Sequence, residues 1–281
     1  MGHLMKLSFS TLGCPAWTLD QIIRRAAEYG FDGIAFRGLN GELDLTRVDE
    51  FTPSRRKHTL ALIKNAGLVC NMMLTSTRVM LIDPAELAAS LQNAKDHIDL
   101  AADMESPAVR IFGGAILSGL SHATAIARAG DRLRELGRHA EGKGVKVLFE
   151  THDDWLRPDL VRRVIEHADH PNVRVLWDVH HPYRIAEIPV AEVWKALGPL
   201  VEAVDIKDSR IDPSARLGYR FVKIGDGDVP IFEALTLLAR AGYQGWLNFE
   251  WEKRWHPDIE EPEVSFPHFR QTMTRLLSAI R

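Results

Sequence analysis

One pattern constrains this chain above all others: a short apolar run followed by a longer amphipathic stretch, eight times over. The apolar runs are Leu7–Thr11, Gly33–Phe36, Leu68–Leu74, Ala108–Phe112, Val145–Glu150, Val173–Asp178, Val201–Ile206 and Trp246–Phe249. They are continuous rather than alternating, as parallel strands buried on both faces require. Helical stretches follow at Leu19–Tyr29, Pro53–Asn65, Ala85–Ala102, Ser121–Lys143, Pro158–Ala168, Val190–Leu197, Ile231–Ala241 and Phe266–Ile280. Thr18 opens the first, Gly30 and Gly67 close the first two, and Asp83-Pro84 caps the third. Eight such units predict an α/β chain folded as a single (β/α)8 barrel spanning residues 1–281. An open doubly wound sheet is the rival, but it usually carries a Gly-rich phosphate loop after its first strand. Thr11-Leu12-Gly13-Cys14-Pro15 lacks that spacing.

The length of 281 residues suits one such barrel, which typically needs about 250. Met1–Leu4 read as an added leader ahead of a native start at Met5. A formal net charge of −3 supplies no basic field to hold nucleic acid or an anionic membrane. No apolar run approaches the roughly 20 residues of a membrane span, and no signal peptide opens the chain. Cys14 and Cys70 sit in apolar stretches without metal-binding spacing, so they read as buried thiols of a reducing compartment, the cytoplasm.

A barrel builds its active site at the C-terminal ends of its strands. The fifth run ends in Glu150-Thr151-His152-Asp153-Asp154, the sixth in Asp178-Val179-His180-His181, the seventh in Asp205-Ile206-Lys207-Asp208 and the eighth in Glu250-Trp251-Glu252. Four consecutive strands thus each present a carboxylate directly after apolar residues. Buried carboxylates are paired or coordinate a cation. Four convergent oxygens suit Mg²⁺, Mn²⁺, Co²⁺ or Zn²⁺. The plainer alternative is that each acid caps the next helix or pairs with a nearby base.

These elements, with Gly225-Asp226-Gly227-Asp228 and Gly242-Tyr243-Gln244-Gly245-Trp246, resemble the sugar phosphate isomerase/epimerase family, the xylose isomerase-like TIM barrels. The resemblance covers nearly the whole chain. It implies one divalent metal ion held by Glu150, Asp178, Asp205 and Glu250, with Glu150 and Glu250 also moving a substrate proton. Asp205 stands where family members usually place a histidine. An all-oxygen set shifts the preference towards Mn²⁺ or Mg²⁺ over Zn²⁺; alternatively Asp205 pairs with Lys207 and metal binding is weakened.

His181 would orient a substrate oxygen, with His180 pointing elsewhere, and His152 faces the barrel mouth. Lys207 lies on the same face of its strand as Asp205 and could meet an anionic group or form a salt bridge. Arg110, within the fourth run, needs an acidic partner or an anionic substrate, and Arg37 is similar. Arg216 lies with Arg210 and Arg220 in a lid-length loop, Ser209–Val222. Trp17, Trp155, Trp251 and Trp255 follow strand ends and could stack on a sugar face. The resemblance implies an isomerase or epimerase of a sugar, sugar phosphate or polyol, with homo-oligomers common in the family. A lyase acting on a keto-inositol-like substrate would use the same groups. A non-catalytic ligand-binding member is the further alternative. A barrel endonuclease is disfavoured, since Phe36-Arg37 and Asn71-Met72 offer no histidine for a zinc cluster.

Overall fold

The computed structural model describes residues 5–280, so the expectation for Met1–Leu4 lies outside the described residues. Strands β1 (Lys6–Ser10), β2 (Gly33–Phe36), β3 (Val69–Arg78), β4 (Ala108–Phe112), β5 (Lys146–Glu150), β6 (Val173–Asp178) and β7 (Val201–Ile206) follow one another in the chain. After them come β8 (Asp208–Ile211), β9 (Tyr219–Val222) and β10 (Trp246–Phe249). All but β8 and β9 close a parallel barrel in the order β1-β10-β7-β6-β5-β4-β3-β2, the expected (β/α)8 architecture.

The helices packed outside are α1 (Leu19–Tyr29), α2 (Arg56–Asn65), α3 (Pro84–Asp103), α4 (His122–His139), α5 (Pro158–Ala168), α6 (His180–Ala186), α7 (Val190–Leu197), α8 (Ile231–Arg240) and α9 (Pro262–Ala279). Local chemistry sets their starts. Thr18 and Gln21 form a reciprocal capping box on α1, and the Asp83 carboxylate accepts from the amides of Ala85 and Glu86 at α3. The main apolar core lies between strands and helices.

Inside the barrel a separate apolar layer is formed by Ala35, Met72, Leu74, Ala108, Leu148, Leu176 and Ala203. A step of two residues along a strand keeps a side chain on the same face. That step from the apolar layer leads to Arg37 after Ala35, Arg110 after Ala108, Glu150 after Leu148, Asp178 after Leu176, and Asp205 then Lys207 after Ala203. The barrel interior is therefore apolar below and charged at its C-terminal mouth.

The structure departs from sequence expectation in four places. Two short 3-10 turns, Leu45–Arg47 and Asp49–Phe51, take up the chain before α2, which starts at Arg56 rather than Pro53. Asp178 is followed at once by the short helix α6. The stretch Ser209–Val222 is largely an antiparallel hairpin, β8 against β9, rather than an irregular loop. The closing helix starts at Pro262 and carries Pro267 inside it.

Candidate functional site

Glu150, Asp205 and Glu250 each bring a carboxylate oxygen into one group, all within 4.8 Å of one another, and all three residues are buried. Each is held by a different partner. Arg110 donates from Nη1 to Glu150 Oε2 at 2.6 Å and from Nη2 to the Thr75 carbonyl at 3.0 Å. Asp205 Oδ1 accepts from Asn248 Nδ2 at 2.8 Å. The far end of Asn248 accepts from Ser8, which in turn accepts from Asn71, at 3.1 and 3.0 Å. This chain of neutral groups fixes the orientation of the amide and gives Asp205 a donor without neutralising it. Lys207 Nζ is ion-paired to Glu250 and donates to Glu252 Oε1 at 3.1 Å.

Asp178 stands outside that group of three. Its Oδ1 accepts from the backbone amides of His180 and His181, at 2.7 and 3.0 Å. Its Oδ2 lies 2.8 Å from Lys207 Nζ and 2.9 Å from His181 Nδ1. Asp178 Oδ1 therefore caps α6, while its Oδ2, ion-paired with Lys207 and His181, is buried without a hydrogen-bond partner.

The charges sort accordingly. Burial works against ionisation of Asp178, but His181 and Lys207 outweigh it and hold the carboxyl well below its usual range. Burial likewise opposes the charge on Glu250, and Lys207 with Arg110 again wins, so its pKa is lowered. Asp205 goes the other way: burial, then repulsion from Glu250, Glu150 and Asp178, pushes its pKa well up. Burial favours the neutral amine of Lys207, yet Asp178, Glu250 and Glu252 hold its pKa well above the ordinary value.

Both mouth-facing histidines have a carboxylate beside Nδ1. His152 Nδ1 donates to Asp153 Oδ1 at 3.0 Å, as His181 Nδ1 faces Asp178. Their rings meet edge to face at 4.4 Å. A carboxylate on one ring nitrogen leaves the other, Nε2, free for a ligand. His152, His181 and Glu150 form a second group whose donor atoms lie within 4.8 Å. Asp153 takes a left-handed backbone, φ 52°, while its other oxygen accepts from the Gly114 amide at 3.0 Å. Burial lowers the pKa of His152, but Asp153 and Glu150 outweigh it and the net shift is upward. His180 turns away to Ser209 Oγ at 2.8 Å, and burial keeps it neutral, with its pKa well below the ordinary value.

Two residues expected near substrate are placed elsewhere. Trp17 is buried against α9, its ring edge-on to Phe266 and its Nε1 donating to Glu263 at 3.0 Å. Arg216 is exposed between the strands of the hairpin, lining a side cleft of about 340 Å³ with Trp255 and His256. Sequence reasoning missed Asn248 and Ser8 as site residues. It named Glu252 only as part of a strand end. The signal was available for two of them: Asn248 and Glu252 flank Glu250 at steps of two.

The donor set fits a divalent cation on two observations. Glu150 Oε1 and Asp205 Oδ2 are buried with no hydrogen-bond partner. The repulsion that raises the pKa of Asp205 is what a cation would remove. A parallel eight-stranded barrel with a carboxylate-lined C-terminal mouth defines a recognisable class of protein. The chain belongs to the xylose isomerase-like TIM barrel family, whose model matches residues 23–271.

No curated protein sequence matches the chain. Solved structures do match. The IOLI protein with a bound zinc atom is 14% identical, with a TM-score of 0.82 and coverage of 99% of both chains. An L-ribulose 3-epimerase is 18% identical at a TM-score of 0.80, over 99% of this chain and 96% of that one. A xylose isomerase-like TIM barrel protein from Mycobacterium smegmatis, in complex with magnesium, is 19% identical at 0.73, covering 100% and 99%. At these identities the likeness establishes the fold.

Proposed function

We propose that this chain is a metal-dependent isomerase or epimerase of a sugar, sugar phosphate or related polyol. One observation carries the reading: Glu150, Asp205 and Glu250 converge at the barrel mouth with buried, unpartnered oxygens on Glu150 and Asp205. These three would hold the ion, with Asp178 behind them fixing Lys207 and His181. Three carboxylates are hard donors, which favours Mn²⁺ or Mg²⁺. When bound, such an ion supplies Lewis-acid polarisation of substrate oxygens.

The protein's own groups do the rest. Glu150 and Glu250 are the bases that take a proton from the carbon next to a carbonyl and return it. Arg110 fixes one oxygen of Glu150 and leaves the other facing the site that would hold the ion. Lys207 keeps Glu250 ionised and so able to accept a proton. His152 and His181 present Nε2 to a substrate hydroxyl or carbonyl, the tautomer of His152 set by its hydrogen bond to Asp153 and the charge of His181 balanced by Asp178. The zinc- and magnesium-containing barrels and the epimerase of the same fold agree with this reading.

The experiment is calorimetric titration of the purified protein with Mn²⁺, alongside Glu150→Gln and Asp205→Ala, followed by solvent-deuterium exchange into a panel of ketoses and inososes. Near-stoichiometric binding that is weakened in both variants, with exchange at a single carbon, is the expected result. Loss of water from an inosose instead of exchange would move the activity to a lyase. No binding of Mn²⁺, Mg²⁺, Co²⁺ or Zn²⁺ would overturn the mechanism.

A further inference from the structure

Arg37 follows β2 two residues after the inward-facing Ala35, so its side chain points into the same mouth. It is only 7% exposed. Nη2 donates to Ser76 Oγ at 3.0 Å, and Nη1 is buried with no hydrogen-bond partner. Among the described residues, the other cations buried to this degree, Arg110, Lys207 and Lys253, each hold a carboxylate. Arg37 holds none. Burial pushes its guanidinium down to about 9, with Arg110 adding to the effect and Glu250 and Glu150 opposing it. Arg254 also presses on it, lines the same narrow cleft, and has a buried Nε without a partner.

A buried guanidinium lacking a carboxylate is costly, and an unpaired donor beside a reaction site is the kind of local penalty that function maintains. Arg37 stands at the end of β2, two strands from Arg110 on β4 and two from Glu250 at the end of β10, and its own charge is opposed by no carboxylate in contact with it.

We propose that Arg37, flanked by Arg254, seats a carboxylate or phosphate group of the substrate, which is therefore a sugar acid or a sugar phosphate and not a neutral sugar. The identity of the substrate's other end rests on the isomerase reading; the anion seat does not. Planar bidentate recognition of either group is what a guanidinium does best.

The test uses metal-free protein in EDTA, so that no anion can bind through a metal. Inorganic phosphate and the pair gluconate and glucitol, which differ in charge but little in shape, are titrated into wild type, Arg37→Met and Arg37→Lys, and melting temperatures are recorded. Wild type is expected to bind phosphate or gluconate at least about tenfold more tightly than glucitol. Phosphate alone indicates a phosphorylated substrate, and gluconate a sugar acid. Arg37→Met should lose the preference yet melt no lower than wild type, because it removes an unpaired buried charge. Arg37→Lys should keep a weakened preference. Absence of any anion preference in wild type, its survival in Arg37→Met, or a marked fall in that variant's melting temperature would each overturn the proposal. Mn²⁺ titration of the same proteins separates the two readings: a chain that binds no Mn²⁺ but prefers anions loses the isomerase mechanism and keeps the anion seat.

Discussion

Arg110 and Glu150 form a buried ion pair across β4 and β5, Nη1 to Oε2 at 2.6 Å, that satisfies one oxygen of Glu150 and leaves the other unpartnered. Both side chains are essentially inaccessible to solvent. Removing one partner of such a pair strands the other charge, at a cost of about 3–5 kcal/mol, whereas replacing both with apolar groups is often close to neutral. The Arg110→Met and Glu150→Met single variants should each be strongly destabilised, and the double variant much less so than their sum. Chemical denaturation of the four proteins checks this. Additive losses would mean that the two groups are not coupled as the geometry states.

Asp205 gives a pH-dependent prediction with a definite sign. Burial and three neighbouring carboxylates raise its pKa in the folded chain. A raised carboxyl contributes stability below its unfolded value, about 3.9, and loses it as pH rises through the folded value. Without metal, wild type therefore loses stability through Asp205 as pH rises towards neutrality, and Asp205→Asn does not. In EDTA at pH 8 the variant should melt higher, by roughly 2–4 °C, the shift that about 1 kcal/mol produces in a large domain. The gap should shrink as pH falls towards 4. With saturating Mn²⁺ the order should reverse, since ligand binding stabilises only the form that binds it. A variant that melts below wild type at pH 8 in EDTA would contradict the assigned repulsion.

The barrel was legible because its strands are buried on both faces and read as short, mostly apolar runs, as at Gly33–Phe36. The inward set was half legible. A step of two from an apolar interior residue picks out Glu150, Asp178, Asp205 and Lys207, all of which were singled out. It also picks out Arg37, whose lack of a carboxylate partner only the structure reveals. What stayed hidden depends on closure of the barrel. Lys207 meets Asp178, Glu250 and Glu252 because β6, β7 and β10 lie side by side, and nothing local in the chain declares that. Capping by a strand-end acid was an open alternative for Asp178, but the short helix it caps was not expected, because α6 starts almost directly after β6. Trp17 follows a strand end like a pocket wall, but α9 from the far end of the chain covers it.

The Gly225-Asp226-Gly227-Asp228 turn yields a prediction in which steric approach outweighs backbone conformation. Asp208, directly after Lys207, accepts from the amides of Ser209, Gly225, Gly227 and Val229 at 2.8, 2.9, 3.1 and 3.3 Å. One carboxylate thus ties the whole turn to the end of β7. A Cβ on Gly227 would fall 2.0 Å from Asp208 Oδ1 and 2.5 Å from the Ser209 carbonyl oxygen, so the turn must lift off its anchor. Gly225 has the left-handed backbone, φ 89°, but a Cβ there meets nothing nearer than Thr272 Cγ2 at 3.7 Å. Gly225→Ala should therefore cost only the left-handed penalty of about 1–2 kcal/mol. Gly227→Ala should cost more, about 2–4 kcal/mol, because it breaks several buried hydrogen bonds to a carboxylate at once. It should also raise backbone amide exchange at residues 225–229. Denaturant titration ranks the two variants, and hydrogen exchange locates the loss. If Gly225→Ala proved the costlier, conformational freedom and not close approach to Asp208 would be what these glycines provide.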